Sequence, residues 1–403
     1  MKDPSRVRVT GPLEPFAPGF AEELRQLGYK RVPVALQLQL MAHASRWLEV
    51  EGIAAQALTA EVVKRLMVER RAAGSTNYVT ARAMAPLLTY LRGVGVVPLD
   101  SLPAPSTAVE VLLAHFGEYL GLQRGLTART VVGYVHAVRP FLAGLDDDGE
   151  LDLQGLTAGQ VTGFVVARCP GQSRGAAKMM VTALRSLLGW MHVEGLIERS
   201  LVGAVPSAAS WRLSGLPRAL DADQVRRLLE ACDRRAGSGR RDFAILTLLV
   251  RLGLRAGEVA GLGLDDVDWR AGELLVVGKG RRAERLPLPV DVGEAITAYL
   301  ADGRPATAQD RSVFIRVKAP HHGLRTGGVT QVVVSAAHRA GLGQIHAHRL
   351  RHTAATEMLR AGAPLTEIGQ VLRHRTALTT AIYAKVDRDR LREIARPWPG
   401  AGS

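Results

Sequence analysis

Tyr383 stands in a polar, threonine-rich run, VLRHRTALTTAIYAKV at residues 371–386, nine positions after His374. A phenol, with a pKa of about 10, is a poor nucleophile until something stabilises the phenolate. Arginines gathered around a phosphodiester would do so, and would stabilise a phosphorane as well. One such arginine lies in HAHRLRHTAATEML at residues 346–359, where Arg351 follows His348 by three positions and His352 follows it by four. On a helix His348 therefore projects beside both. Two histidines at that spacing invite comparison with the zinc helix H-E-x-x-H, but Arg349 fills the place of its glutamate base, and a cationic neighbourhood disfavours Zn²⁺. The triplet suits an anion instead: a guanidinium fork holds two phosphate oxygens while an imidazole donates or shuttles a proton.

Two further patterns are weaker in isolation. In GLRAGEVAGL, residues 253–262, Glu258 follows Arg255 by three positions. If a helix begins after Gly253, the carboxylate can orient the guanidinium, though alone the pair reads better as a surface ion pair of little energetic weight. Lys279 sits between two glycines in a turn, able to reach a phosphate or to stay a solvated turn charge. Together, two arginines, a lysine, two histidines and a tyrosine make a site for phosphoryl transfer without a metal, guanidinium groups taking the part usually given to Mg²⁺.

These residues belong to the last part of the chain, which must fold to bring them together. DADQVRRLLEACDRR has a helix start at Asp221 and apolar spacing at Val225, Leu228, Leu229 and Cys232. RDFAILTLLVRLGLRAGEVAGL continues as a strongly apolar, core-facing helix. ELLVVGKGRRAERLPLP, residues 273–289, reads as a β-hairpin with Lys279 at its tip. Helical patterns return around DVGEAITAYLADG, VTQVVVSAAHRAG, HRLRHTAATEMLRAG and LTEIGQVLRH. This part is α+β, mainly helical with a small sheet.

The preceding two hundred residues repeat themselves. LTAEVVKRLMVERRAAG at 58–74 is echoed by LTAGQVTGFVVARCPG at 156–171, ARAMAPLLTYLRGVGVV by VTALRSLLGWMHVEGLI, and LMAHASRWLEVEG by YVHAVRPFLAGL. A period of about 94–100 residues is too long for a solenoid and fits a duplicated helical bundle. Thr59 and Thr157 are equivalent helix caps. The Pro-rich stretches PLDSLPAPSTA (98–108) and GAVPSAASWRLSGLPRAL (203–220) read as linkers. The expected domains are thus 1–103, a helical bundle duplicating the next; 108–205, a second bundle; 217–396, the α+β domain; and 397–403, a tail.

Composition agrees with an anionic partner. Lys plus Arg outnumber Asp plus Glu by 52 to 38, a formal charge of +14, which suits nucleic acid and on charge alone also an anionic membrane surface. No apolar run reaches the roughly 20 residues of a membrane span, and MKDPSRVRVTGPLEP lacks the apolar core of a signal peptide, so an intracellular, soluble protein is expected. Cys169 and Cys232 lack a C-x-x-C partner and read as buried, reduced thiols.

In this order, GLRAGEVAGL, GKGRRAERLPLP, HRLRHTAAT and LRHRTALTTAIY resemble the signature of the tyrosine recombinase, or phage integrase, family, which shares its chemistry with type IB topoisomerases. The resemblance spans roughly residues 110–395. It implies a SAM-like core-binding bundle at about 108–202 and a catalytic domain, closing as a C-shaped clamp on double-stranded DNA at an inverted-repeat core site. By this likeness Arg255 and Arg351 clamp the scissile phosphate, Glu258 supports Arg255, and Lys279 is the acid toward the leaving 5′-oxygen. His348 opens the H-x-x-R box, His374 fills the His/Trp position, and Tyr383 is the nucleophile of a 3′-phosphotyrosyl link. No cofactor, metal or ATP is implied. The likeness further implies a synapse of four protomers, with the segment RDRLREIARPWPG (388–400) docking on a neighbour, and a cytoplasmic, nucleoid-associated prokaryotic protein serving integration or transposition of a mobile element. Sister recombinases or an accessory protein would be its partners. A DNA-binding protein of the same fold without catalysis and a supercoil-relaxing topoisomerase are the alternatives. The first hundred residues depart from the family pattern and are expected to add a DNA or a protomer contact.

Overall fold

The computed structural model describes residues 3–98, 106–147, 150–207, 219–278 and 282–373, together with Thr376, Thr380 and Tyr383. Packing gathers the chain into two compact units, one of residues 99–212 and one joining 1–98 with 213–403.

The unit of residues 99–212 is a helical bundle. Its helices are α5 (Ala108–Glu118), α6 (Ala128–Ala143), α7 (Ala158–Arg168) and α8 (Arg174–Val193). Each starts at a hydroxyl cap, Thr107, Thr127, Thr157 and Ser173, whose side-chain oxygen accepts from a free first-turn amide. At Thr157 the Gln160 side chain returns the bond to the cap amide. Phe116 and Trp190, with ring centroids 5.5 Å apart, sit in a core with Leu142, Leu184, Leu187 and Leu188. A two-residue ladder, β1 (Asp146–Asp147) with β2 (Glu150–Leu151), joins the second helix to the third. Cys169 is only half-buried, because α7 ends at Arg168 and leaves it on the cap, whereas Cys232 is buried as expected; both are free thiols.

The other unit begins with a bundle of the same helix order: α1 (Ala17–Gln26), α2 (Arg31–Val50), α3 (Ala60–Ala72) and α4 (Ala81–Gly93). Thr59 caps α3 as Thr157 caps α7. Phe20, Leu24, Met41, Leu48, Leu66 and Leu87 form a core of its own. This bundle also touches the C-terminal part of the chain. The amide of His321 donates to the Leu27 carbonyl (3.2 Å), and Gly28 lies against the His321 ring. Gly28 has φ +85°, and a Cβ there would come within 2.3 Å of His321 Nδ1, so glycine is required by both backbone and contact.

The C-terminal part carries the long α10 (Gly237–Arg251) at its centre, preceded by α9 (Ala222–Glu230), which starts at the Asp221 cap. Leu246, Leu248, Leu249 and Ile245 of α10 are fully buried, which explains its apolar run. After Gly253 the chain turns into the short α11 (Ala256–Ala260). Three antiparallel strands follow: β3 (Val267–Asp268), β4 (Glu273–Val277) and β5 (Ala283–Pro287). Leu274 pairs with Leu286 and Leu275 with Arg285, so the hairpin forms in the expected place and gains β3 as a third strand. Leu274, Val276 and Leu286 turn to the core, the two-residue alternation of a half-buried sheet. Lys279, at the expected tip, lies outside the described residues. Helices α12 (Val290–Asp302), α13 (Thr326–Arg339), α14 (Ala347–Arg360) and α15 (Leu365–Val371) complete the domain. Among the described residues, no helix is long and apolar enough to cross a membrane.

Candidate active site

The site assembles where α11, α14 and the segment after α15 meet. Arg255 is not inside a helix, as the spacing alone suggests, but is the extended N-cap of α11. Its pairing with Glu258 forms all the same, because an N3 carboxylate reaches back to the cap amide. Glu258 Oε2 accepts from the Arg255 amide (2.8 Å) and Oε1 from its Nη1 (2.6 Å). This is no surface pair: the Glu258 side chain is 3% exposed. Its second oxygen also accepts from Arg373 Nη2 at 2.7 Å. Burial works to raise the Glu258 carboxyl; the Arg255 amide, the Arg373 charge and the Arg255 fork together outweigh it and hold it below the ordinary value.

Arg351 on α14 is buried and spans two turns of backbone. Nη1 donates to the Gly253 carbonyl (2.7 Å) and Nη2 to the Leu372 carbonyl. The guanidinium thereby ties the turn before Arg255 to the end of α15. Burial, and then the charge of Arg255, pull it down to about 10, so it is still a cation at neutral pH. Among the described residues, two of its five N–H donors are engaged, by these carbonyls. Gly253 makes the approach feasible: with φ +58° it sits in the left-handed region, and a Cβ would lie 2.6 Å from Leu372 Cδ2.

His348 and His352 share one face of α14, ring centroids 4.3 Å apart. His352 Nδ1 lies 2.9 Å from the Tyr383 hydroxyl. Tyr383 is buried, packed with Ala355, Leu359, Ile368 and Leu372. Burial raises its phenol above the ordinary value against the lowering charge of Arg351, so it rests protonated. Burial, His348 and Arg351 hold His352 at about 4, which leaves it neutral near pH 7. In the neutral tautomer that leaves Nδ1 bare, that imidazole accepts the phenol's hydrogen. His348 is also lowered, by burial and then by Arg351 and Arg255.

Of the residues singled out in the sequence, the fold gathers Arg255, Glu258, His348, Arg351 and Tyr383. His374, like Lys279, lies outside the described residues. Two site residues have no role of their own in the sequence reading. The i,i+4 relation to His348 puts His352 in an anion-binding triplet with Arg351, but nothing in the sequence pairs it with Tyr383. Arg373 carried no signal, since nothing local marks an arginine whose partner is 115 residues away.

Profiles described as "Phage integrase family" and "Phage integrase, N-terminal SAM-like domain" match residues 218–390 and 113–195. An integrase/recombinase designated y4rA of Sinorhizobium fredii is 41% identical over 394 residues, covering 97% of this chain and 95% of that protein. The chain belongs to the phage integrase family. Another relative of this integrase-family chain, the tyrosine recombinase XerD of Mycobacterium tuberculosis, is 33% identical over 307 residues, 72% of the chain and 96% of the relative. Because y4rA matches nearly end to end, the first bundle of the integrase-family chain is part of that relative's architecture too. Among solved structures, the XerH site-specific recombinase bound to a palindromic difH substrate superposes with TM-score 0.58 at 18% identity, covering 73% of this chain and 97% of that one. A lambda integrase dimer bound to a core site gives 0.55 at 18%, covering 72% and 98%. These likenesses show the tyrosine-recombinase fold.

Proposed function

We propose that the chain is a site-specific DNA recombinase acting through a covalent 3′-phosphotyrosine. Tyr383 Oη attacks the scissile phosphorus as its proton passes to His352, and the 5′-oxygen departs with a proton from Lys279. Arg255 and Arg351 hold the non-bridging oxygens and the charge that builds on them. Glu258 orients Arg255, while His348 and His374 donate to the phosphoryl oxygens. The observation that carries this reading is the Tyr383 hydroxyl seated 2.9 Å from the neutral His352, on the helix that also carries Arg351. A phosphodiester is exchanged for a phosphotyrosyl ester, so bond energy is conserved and attack by a different 5′-hydroxyl completes strand exchange.

The substrate is double-stranded DNA at an inverted-repeat core site, bound by the basic chain and joined in a synapse of four protomers, in the service of a mobile element. The relatives' names and the charge of +14 support this. The DNA-bound solved recombinases are 18% identical and support the fold behind it. Tyr383→Phe and the unaltered protein are compared on nicked suicide duplexes recovered from a randomised pool by binding. The unaltered protein gives a covalent complex resolved by denaturing gel and the variant none. A complex that persists in the variant, or none from either protein, overturns the reading; supercoil relaxation without recombinant product assigns a topoisomerase instead.

A further inference from the structure

Arg373 joins the box that holds Arg255 to the segment that leads to Tyr383. Its guanidinium is 4% exposed and donates to Glu258 Oε2 at 2.7 Å, the same oxygen that takes the Arg255 amide. Its own carbonyl accepts from Arg255 Nη2 at 3.3 Å. A second donation, from Nη1 to the Val371 carbonyl (2.9 Å), fixes the side chain back on the end of α15. The residue adopts φ +54°, one of two non-glycine residues among those described with positive φ. A left-handed backbone is unfavourable for any side chain with a Cβ, and glycine would relieve it. An arginine kept there, its side chain buried and paired across 115 residues, serves a contact that glycine cannot make.

We propose that Arg373 is a positioning residue for strand cleavage, aligning Arg255 through Glu258 and through its own carbonyl. The inference rests on the recombinase reading of the site. Its consequence is a coupling: the Arg255 fork is aligned only while Arg373, two residues past the end of α15, is seated. Displacing Arg373 would remove both the carbonyl that accepts from Arg255 and the cation that fixes Glu258. Arg351, which donates to Leu372 next door, reads the same segment from the other side. Both arginines of the proposed clamp are therefore held by two consecutive residues at the end of α15.

The test separates positioning from folding by measuring single-turnover cleavage of the selected nicked duplexes. Amplitude reports the folded, competent fraction, and the rate constant reports alignment. Arg373→Gly relieves the backbone and removes the fork, whereas Arg373→Lys keeps a cation facing Glu258 and removes only the fork. For both, DNA affinity stays within about threefold while the rate constant falls about 100-fold, the scale of a misplacement of ~1 Å in a reacting group. Glu258→Gln combined with Arg373→Gly is no slower than the slower single variant, because the two act along one path. Millimolar guanidinium returns part of the rate to Arg373→Gly and nothing to Arg255→Ala. Rate constants like the unaltered protein's with only the amplitude reduced, or additive losses in the double variant, overturn the inference. A lack of covalent complex in the unaltered protein instead removes the recombinase reading, and the inference falls with it.

Discussion

The Tyr383 hydroxyl and His352 Nδ1 lie 2.9 Å apart, inside a pocket closed by Leu359, Ile368 and Leu372. A phenol in contact with a neutral imidazole needs no solvent base to lose its proton at the moment of attack. His352→Phe fills the space and removes the acceptor. The covalent-complex rate is expected to fall about 100-fold or more, the range of general-base contributions, with DNA affinity unchanged. Gel-shift and single-turnover assays on one DNA check both; an unaltered rate would remove His352 from the reaction.

Stability should depend on pH through the same histidine. Its folded value, about 4, lies below the unfolded value of about 6.5. Between the two, the unfolded chain binds more protons, so the contribution is full above about 6.5 and is lost as pH falls toward 4. His348 is shifted in the same direction and adds to the slope. Glu258, held below its ordinary value, acts alike in a lower window, beneath its unfolded value of about 4.3. Melting temperatures taken from pH 7 down to 4.5 should fall, and His352→Gln should flatten the upper part of that fall.

Gly253→Ala places a Cβ against Leu372 in a left-handed backbone, at φ +58°. The backbone alone costs about 1–2 kcal/mol. The clash also displaces the carbonyl that Arg351 holds, so cleavage should decline further than the loss of folded protein explains. Chemical denaturation beside single-turnover rates measures the two separately.

Glu258→Ala leaves the Arg373 guanidinium buried without its carboxylate. Breaking one partner out of such a pair costs about 3–5 kcal/mol. Glu258→Ala with Arg373→Met should regain part of that loss, since no buried charge is then uncompensated. A double variant as unstable as the sum of the two would contradict the pairing as the source.

DNA affinity should fall steeply with salt, because phosphate contacts by a chain of charge +14 release condensed counterions. The logarithm of affinity against the logarithm of salt concentration should be a descending line. A flat line would contradict a basic DNA-binding surface.

The sequence by itself determined much of this protein, for a local reason. Helix starts at Asp221, Thr59 and Thr157 are written in residues that bond to amides a turn away, and those caps are where the chain puts them. The hairpin of residues 273–287 follows from its two-residue alternation, and the partnership of Arg255 with Glu258 from a spacing of three. The relation of His348 to His352 is fixed by the helical repeat. Only tertiary structure decided what depends on distant neighbours. By spacing alone Glu258 reads as a surface acid, because a separation of three says nothing of depth; it is buried, with the buried Arg373 side chain brought against it from the end of α15. Arg373 meets Glu258 across 115 residues of chain and the Gly253 carbonyl meets Arg351 across 98, and no local pattern encodes such a meeting. Likewise the docking of Tyr383 on His352, and of the first bundle on His321, arises from packed surfaces whose partners are brought together only by the whole fold.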